Sequence, residues 1–313
     1  MLGAWRVGVV IPAKNEEASI TEVLETLPEH VDVAVVIDDG SQDRTAERAK
    51  TAVAPCEVIV LSGHGEGVGA SIDRGHQHLL GALQEPFLSV VMAGDGQMNP
   101  DDMEGLVRPI LEGAADHVKG NRKQHENGYH NMPRMRKMAS EVLGIFTSLA
   151  AGQTIHDPQC GYTATASHVL KTWNWSRSWK GYGYPNYWLI NLAREGWRIA
   201  EQPVESIYRD EDSGIKPASF FAKVGCMMAI EHHRRNLSWI KPPLTLPHSL
   251  FALLAYLLGW SAFLPMFTND LEEVLVQRNI PPILIGLFFW SMAHLFDRFA
   301  TRTRQELRAN AKT

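Results

Sequence analysis

The sequence has few cysteines and no excess of positive charge. Its 313 residues include only Cys56, Cys160 and Cys226, which are too few and too widely spaced for a disulfide framework or a paired-cysteine metal site. The formal net charge of −5 gives no general reason to expect a nucleic-acid partner. A strand-like run starts at Trp5, which leaves no room for a secretory signal. We therefore expect reduced thiols in a cytosolic setting and no nucleic-acid binding.

Charged residues are also absent from two long stretches near the C-terminal end, residues 242–269 and 279–296. Each stretch is long enough to cross the hydrocarbon core of a membrane, the second only just. Basic residues flank the pair on both outer sides, whereas the connector "TNDLEEVLVQR" contains three acids and one arginine. Because positive charge concentrates on the cytoplasmic side of membranes, the pattern favours a membrane hairpin with both flanks in the cytoplasm. The alternative is a pair of core helices.

The first hundred residues alternate apolar runs with stretches typical of helices. The runs "VGVVIPA", "VDVAVVIDD", "CEVIVLS" and "FLSVVMAGD" are predicted strands, and helices are predicted at Ser19–Leu27, Thr45–Val53 and Ala70–Leu83. Strands that are continuously apolar indicate a mostly parallel sheet covered on both faces. The predicted fold class is therefore α/β, with a Rossmann-like open sheet. Ligands of such sheets bind at the carboxyl ends of the strands.

Polar side chains stand at the ends of the first two predicted strands: Lys14, Asn15 and Glu16, then Asp38 and Asp39. Carboxylates at this edge could accept hydrogen bonds from a base or a ribose. The alternative is that Ser41 or Asp43, in "VIDDGSQDRT", only caps the next helix. Capping would leave Asp38 and Asp39 unexplained, so we expect them to face a ligand.

A single acid, Asp95, marks the end of the fourth predicted strand, in "VVMAGDGQMNPDD". Gln97 lies two residues later, and in an extended segment the two side chains point to the same side. A divalent cation on a diphosphate takes one or two oxygen ligands from the protein and completes its shell with phosphate and water. Gly94 and Gly96 would let the backbone approach a bulky ligand. The alternative is that Asp95 serves only as a cap or turn residue.

Five motifs together resemble a known family. "VVIPAKNEE", "VIDDGSQDRT", "VMAGDGQMNPDDM", "KGNR" and "DPQCGYTA", in this order, are similar to the family 2 glycosyltransferases of GT-A fold, and within them to the dolichyl-phosphate mannose synthase and polyprenyl-phosphate glycosyltransferase group. The resemblance covers about residues 7–216. It implies a nucleotide-sugar pocket lined by Pro12, Asn15, Glu16, Asp38, Asp39 and Gly94.

The resemblance also implies that Asp95 and Gln97 hold Mg²⁺ or Mn²⁺ on the donor diphosphate. The sequence departs from the family pattern at one position of this motif. Ala93 stands where the family usually has the first acid of Asp-x-Asp-x-Gln. The loss of one carboxylate leaves a non-catalytic relative as an alternative.

Asp157, in "IHDPQCGY", resembles the family's acid on the acceptor side. A sugar hydroxyl needs a general base as it attacks, whereas a lipid phosphate is already an anion and needs nearby cations instead. The candidate cations are Arg122, Arg134, Arg136, Lys137 and Arg209. Arg122 and Arg209 follow apolar runs and match the family's phosphate-binding positions, so we expect these two to act in catalysis.

Two further features receive milder interpretations. "GHGEGVGA" has the spacing of a dinucleotide-binding turn, but it follows the third strand and the first turn has no glycines, which disfavours that function. In "TWNWSRSWKGYGYPNYW", Trp188 is predicted to be a core residue. Relatives commonly carry an acid after the equivalent of "YGY", and in this chain Asn186 stands nearby.

The chain is thus predicted to comprise a GT-A catalytic domain (1–217), an amphipathic interfacial helix (218–243), a two-helix transmembrane hairpin (244–297) and a basic cytoplasmic tail (298–313). The predicted enzyme is metal-dependent and faces the cytoplasm from the membrane. It would move a sugar from a UDP- or GDP-sugar to a polyprenyl or dolichyl phosphate with inversion. The alternatives are a hydroxyl acceptor with Asp157 as general base, and a relative that binds nucleotide sugars without catalysis.

Overall fold

The computed structural model describes residues 2–126, 134–207, 217–241, 247–263 and 280–311. Within these ranges, the side chains of residues 134–136, 217, 218, 263 and 280–282 are not described. All three cysteines lie in the described part and are free thiols, as predicted.

The described chain contains a seven-stranded mixed sheet. The strands are β1 (Arg6–Ala13), β2 (Val33–Asp38), β3 (Glu57–Ser62), β4 (Phe87–Val91), β5 (His117–Asn121), β6 (Thr163–Ala166) and β7 (Ile199–Pro203). Their order is β3-β2-β1-β4-β6-β5-β7. β1, β2, β3 and β4 pair in parallel, and only β6 runs antiparallel to its neighbours β4 and β5. The predicted α/β class and the first four predicted strands are confirmed.

Ten α-helices are described. They are α1 (Ile20–Glu25), α2 (Thr45–Thr51), α3 (Val68–Ala82), α4 (Met103–Leu111), α5 (Arg134–Ala151), α6 (Ser167–Thr172), α7 (Tyr184–Glu195), α8 (Pro217–Leu237), α9 (His248–Phe263) and α10 (Ile280–Asn310). The first three coincide with the predicted helices to within two residues at their starts.

β1 and α3 approach so closely that glycines are required in both. A Cβ on Gly8 would lie 2.6 Å from Leu79 Cδ2, and a Cβ on Gly75 would overlap the side chain of Val10. Because protein interiors are close-packed, a methyl group at either position would force the helix off the sheet. This contact fixes the position of α3 against β1.

The predicted interfacial helix, α8, packs one face on the catalytic domain instead of standing apart from it. Val224, Met227 and Met228 are buried there, while Ile230 and Leu237 on the other face are exposed. Apolar side chains occupy both faces of α8. The sequence pattern alone therefore could not show which face packs on the catalytic domain and which face is exposed.

α9 and α10 pack along each other through Gly259, whose added Cβ would lie 3.3 Å from the backbone nitrogen of Trp290. In the described part of the chain, one segment, Ile283–Asn310, is long and apolar enough to cross a membrane, and α9 is shorter. The connector predicted to face outward lies outside the described residues. The two-helix transmembrane hairpin therefore remains a prediction. The residues assigned to a separate basic tail continue α10 as far as Asn310.

Candidate active site

The loops after β1 and β2 are tied together by backbone hydrogen bonds to polar side chains. The backbone N–H of Asn15 donates to Ser41 Oγ at 2.9 Å, and the N–H of Gln42 donates to Asn15 Oδ1 at 2.8 Å. Asn15 has φ of +58°, a left-handed conformation that asparagine tolerates better than most residues. The N–H of Glu16 donates to Thr45 Oγ1 at 2.8 Å. Asn15 and Glu16, both predicted to line the nucleotide pocket, thus hold its two loops in register.

Asp38 and Asp39 also have partners within the chain. Asp38 Oδ1 accepts from the N–H of Ser41 at 3.0 Å. Asp39 is buried, and its two oxygens accept from the N–H groups of Glu66 and Gly67, each at 2.9 Å. Each carboxylate therefore shapes a turn, a role that helix capping did not suggest, and the nucleotide-pocket assignment of Asp38 and Asp39 stays a prediction. Asp39 in particular fixes the turn between β3 and α3 against the end of β2.

The end of β4 is held against the end of β1. The N–H of Gly94 donates to Pro12 O at 3.1 Å, and Ser19 Oγ donates to Gly94 O at 2.8 Å. A Cβ on Gly94 would lie 3.0 Å from Ala13 Cβ and 3.3 Å from Ile20 Cδ1. Gly94 is therefore needed for close packing against β1 and α1. The sequence pattern indicated a different reason for this glycine, the close approach of the backbone to a ligand.

Asp95 and Gln97 lie in the turn that follows. The N–H of Gln97 donates to Asp95 Oδ1 at 3.0 Å, and Gln97 O accepts from the N–H of Ile207 at 2.9 Å. Both residues are partly exposed. Among the described residues, no group of three or more His, Cys, Asp or Glu side chains could hold a metal ion alone. One carboxylate and one amide fit a hard cation that takes most of its ligands from a diphosphate and water.

Arg122, at the end of β5, and Asp157 form a closely bonded ion pair. Arg122 donates from Nε to Asp157 Oδ2 at 2.7 Å and from Nη2 to Oδ1 at 2.9 Å, and its backbone N–H adds a third bond at 3.1 Å. The Asp157 side chain is 0% exposed and that of Arg122 is 17% exposed. Burial by itself would raise the pKa of Asp157, but the hydrogen bonds and positive charge of Arg122 hold it below its usual range.

Glu201, on β7, supports this pair from below and was missed at the sequence level. It accepts from the backbone N–H groups of His156 and Asp157, at 3.0 and 3.2 Å, and from the His156 ring at 2.5 Å. A glutamate in a short strand 44 residues away offers no local pattern that links it to the Asp157 motif. Only the pairing of β5 with β7, which places Lys119 opposite Glu201, would have linked Glu201 to this site.

Lys119 is a second residue that the sequence did not single out. It lies on β5, is fully buried, and its ammonium group donates to Cys160 O. Burial lowers the pKa of Lys119. The lysine therefore anchors the turn that carries Asp157 to the sheet beneath it.

The turn that carries Asp157 also contacts α7 and the Asp95 turn. Gln159 donates to the side chain of Asn186, which is fully buried near the start of α7. A Cβ on Gly161 would lie 3.2 Å from Met98 Cε, next to the Asp95 turn. Of the predicted donor, metal and acceptor residues, those at the ends of β1, β2, β4 and β5 are thus brought to one edge of the sheet.

Some predicted residues are not placed. Arg209 falls in residues 208–216, outside the described part of the chain. The side chains of Arg134 and Arg136 are likewise not described, whereas Lys137 is half-buried on α5.

The backbone of Lys180 lies against the glycine-rich start of α3. The N–H groups of Gly69 and Ala70 both donate to Lys180 O, at 2.8 and 3.2 Å. A Cβ on Gly69 would overlap Trp179 O. These two amides already donate to a backbone carbonyl group of the protein, which agrees with the prediction that this turn does not bind a dinucleotide. Trp188 is buried, as predicted.

Comparison with known proteins gives consistent matches. Residues 8–172, more than half of the chain, match the sequence model described as glycosyl transferase family 2. The chain is 28% identical over 219 residues to the UDP-N-acetylglucosamine–dolichyl-phosphate N-acetylglucosaminyltransferase of Methanococcus voltae, covering 64% of this chain and 86% of the relative. It is 28% identical over 211 residues to the undecaprenyl-phosphate mannosyltransferase of Micrococcus luteus, covering 66% and 85%.

Among solved structures, glucosyl-3-phosphoglycerate synthase from Mycobacterium tuberculosis in complex with UDP superposes with a TM-score of 0.57 at 22% identity, covering 74% of this chain and 81% of that one. At this identity the likeness establishes the fold, and the predicted GT-A architecture is confirmed.

Proposed function

Because the chain belongs to glycosyl transferase family 2, we propose that it transfers a sugar from a nucleotide-diphosphate sugar to a polyprenyl phosphate at the cytoplasmic face of a membrane, with inversion. Relatives named for transfer to dolichyl and undecaprenyl phosphate support this acceptor class. The observation that carries the proposal is the state of Asp157.

Asp157 is poorly suited to act as a general base. Its side chain is 0% exposed and both oxygens bind the guanidinium of Arg122. A general base must reach the proton it removes and works best with a pKa near the operating pH. Burial raises the pKa of Asp157, but Arg122 lowers it by more, so the pKa lies below its usual range. This arrangement favours an acceptor that needs no base.

A phosphate monoester meets that requirement. One of its anionic oxygens attacks the anomeric carbon, the bond from that carbon to the diphosphate oxygen breaks, and the nucleoside diphosphate leaves with the electron pair. No proton has to move. Of the acidic groups near Arg122, Asp157 is paired with Arg122, and Glu201 accepts hydrogen bonds from two backbone N–H groups and from the His156 ring. An anionic acceptor therefore meets little unbalanced negative charge here.

On the donor side, the two loops tied by Asn15 and Ser41 would form the wall of the nucleotide pocket. Asp95 and Gln97 would hold Mg²⁺ or Mn²⁺, which supplies positive charge to the leaving diphosphate when bound. Structures of glucosyl-3-phosphoglycerate synthase contain Mn²⁺ or Mg²⁺ together with UDP, which supports this class of ion. The task of this chain's own residues is to keep Asp95 at the end of β4, through the bonds of Gly94 to Pro12 and Ser19.

Membrane association is supported by exposed apolar surface on three helices. α9 and α10 expose large apolar side chains along their lengths, including Leu254 and Leu258 on α9 and Phe288 on α10. α5 adds an exposed stripe at helical spacing, formed by Met138, Val142, Ile145 and Phe146. Exposed apolar patches of this kind mark membrane or protein contacts. A polyprenyl tail is costly to remove from a bilayer, at ~0.8 kcal/mol per buried CH₂, so the enzyme has to reach the lipid.

The experiment that tests the proposal compares two acceptors of the same chain length, a polyprenyl phosphate and the corresponding polyprenol. Purified protein in detergent micelles is incubated with UDP- and GDP-sugars and Mn²⁺, and release of nucleoside diphosphate is measured. We expect release that depends on the polyprenyl phosphate and on one nucleotide class. Release that depends on the polyprenol would favour the hydroxyl-acceptor function, with Asp157 exposed by rearrangement. Nucleotide binding without release under any combination would favour the non-catalytic alternative.

A further inference from the structure

The second half of α10 docks on the catalytic domain at the C-terminal ends of two helices. Gly152 follows α5 with φ of +66°, and a Cβ there would lie 2.5 Å from Arg235 Nη2 and would overlap the Asp297 carboxylate. Gly196 follows α7 with φ of +82°, and its Cβ would lie 2.7 Å from Arg304 Cγ. Each helix thus stops at a glycine where α8 or α10 side chains touch its backbone. Only glycine satisfies both the left-handed conformation and the close approach.

Two arginines of α10 bind the last carbonyl groups of α7. Arg304 Nη1 donates to Arg194 O and Arg308 Nη1 donates to Glu195 O, both at 2.7 Å. The last carbonyls of a helix have no partner within it and carry negative partial charge. The guanidinium of Arg308 also lies 3.4 Å from the centroid of the Trp197 ring. These contacts attach α10 to α7 through charge and stacking together.

A buried polar cluster fixes the position of α10 along its axis. Arg235 on α8 and Asp297 on α10 form an ion pair at 3.1 Å, with both side chains 1% exposed. Trp239 Nε1 donates to the other oxygen of Asp297 at 2.7 Å. A slip of α10 by one residue would leave these buried charges without partners, which is costly. The cluster therefore sets a single register.

The C-terminal end of α5 leads directly to the turn that carries Asp157, whereas α7 contacts that turn near its own N-terminal end. Gln305 donates to Gln153 Oε1 at 2.9 Å, four residues before Asp157. The segment after α5 is folded back on that helix by Ser148, which bonds both backbone groups of Ile155 at 2.9 and 3.1 Å. On the α7 side, Asn186 holds Gln159. The turn that carries Asp157 is thus supported by the two helices that α10 contacts.

We infer that Arg304 and Arg308 are positioning residues that hold the Arg122–Asp157 pair at one height and orientation relative to the bilayer, so that a phosphate on a membrane-embedded chain reaches it. The inference rests on the proposed transfer to a lipid phosphate. It assigns to the polar half of α10 a role in selecting membrane-embedded over soluble acceptors.

The test uses the full chain in phospholipid vesicles and two acceptors, a long-chain polyprenyl phosphate within the bilayer and a short-chain, water-soluble prenyl phosphate. The docking variant is Arg304→Gln with Arg308→Gln. The matched control is Arg298→Gln with Arg302→Gln, which removes two charges from exposed positions on the same helix. We expect the docking variant to lose about tenfold or more in kcat/KM for the embedded acceptor and less than about twofold for the soluble one, since small misplacements are costly in catalysis. The control should change neither by more than about twofold.

Equal losses on both acceptors would show that the arginines only stabilise the fold, and no loss on either would show that they position nothing. A second readout does not depend on transfer. A fluorophore is attached at Val53→Cys, a position 82% exposed, in a chain that also carries Cys56→Ser and Cys226→Ser. Energy transfer from it to headgroup-labelled lipid should show a broader distance distribution in the docking variant than in the control. If that broadening is seen while the wild type transfers sugar to no phosphate, the proposed function fails and the positioning role stands. An unchanged distribution would overturn the positioning role.

Discussion

Arg122 and Asp157 are joined by three hydrogen bonds, two from the guanidinium and one from the backbone of Arg122, and the Asp157 side chain is fully buried. The same arginine that was expected to bind the acceptor phosphate therefore has its charge balanced by Asp157, the residue that would act as the base if the acceptor were a hydroxyl group. The pair is a structural unit at the end of β5, and its stability and pH dependence can be measured.

Arg122→Gln is expected to destabilise the fold by about 3–5 kcal/mol, because it leaves a buried carboxylate without its partner. The matched control is Arg108→Gln, whose pair with Glu104 is exposed on both sides, with an expected effect below about 0.5 kcal/mol. Urea unfolding at pH 7 measures both. An effect of Arg122→Gln no larger than the control would contradict the buried pair.

The pair also predicts an acid dependence. Because the pKa of Asp157 is lowered in the folded state, its contribution to stability is present above the unfolded value of about 3.9 and is lost as the pH falls through the folded pKa. Unfolding free energies of the wild type and Asp157→Asn, measured from pH 6 downward, should therefore converge below about pH 4. A difference that stays constant with pH would contradict the assignment.

Asp95→Asn is expected to remove the effect of Mn²⁺ on nucleotide binding, because the neutral amide is a much weaker ligand for a hard cation. Saturating nucleotide at about 100 times its Kd should stabilise the wild type by ~2.7 kcal/mol in the presence of Mn²⁺. Thermal shift with UDP and GDP, with and without Mn²⁺, measures this. Asp101→Asn, at an exposed position on the same loop, should behave as wild type. If Asp95→Asn retains a metal-dependent thermal shift, Asp95 is not a metal ligand and the proposed metal site is wrong.

Two glycines of α3 should respond in opposite directions to alanine. Gly69→Ala places a methyl group onto the backbone oxygen of Trp179, and we expect it to destabilise the protein by about 1–3 kcal/mol. Gly81 lies on the same helix and has no atom within 4 Å of an added Cβ. Gly81→Ala should stabilise by roughly 0.5–1 kcal/mol through helix propensity. Thermal unfolding of the pair distinguishes close packing from a general intolerance of α3.

Asp73 is a buried acid whose ionisation opposes folding. Burial raises its pKa to about 6, although the hydrogen bond from the Tyr184 hydroxyl acts in the other direction. The folded state therefore holds a proton that the unfolded state has lost between about pH 4 and 6, and stability falls as the pH rises through this window. Asp73→Asn keeps a partner for the Tyr184 hydroxyl and should stabilise the protein at pH 8 by up to about 3 kcal/mol. The gain should vanish near pH 4. A loss of stability at pH 8 would show that the charged form is favoured.

The parts of the fold that could be predicted are those written in local patterns. β1, β2 and β4 are buried on both faces, so their continuous apolar runs identified a covered parallel sheet. β6 has the sequence "TATA" and lies antiparallel between β4 and β5. Four small residues carry no period by which a strand could be recognised, and their burial comes from neighbours distant in the chain.

The parts that could not be predicted depend on partners far apart in sequence. Lys119 and Arg235 are fully buried, although lysine and arginine are usually exposed, because each has partners on another element. Arg304 and Arg308 were assigned to a basic cytoplasmic tail, and the structure shows that they dock on α7. Asp39 was interpreted as a ligand-facing acid, and its carboxylate holds a turn 27 residues away. In each case the contact, and not the residue type, determines the role.

The most direct test of the central claim is the linkage in the product. After reaction with the preferred nucleotide sugar and a polyprenyl phosphate, the purified lipid is examined by phosphorus-31 NMR with proton coupling to the sugar. The account predicts a phosphodiester in which phosphorus couples to the anomeric proton, with the anomeric configuration opposite to that of the donor. A lipid phosphate that remains a monoester while the sugar appears on a hydroxyl group would contradict it.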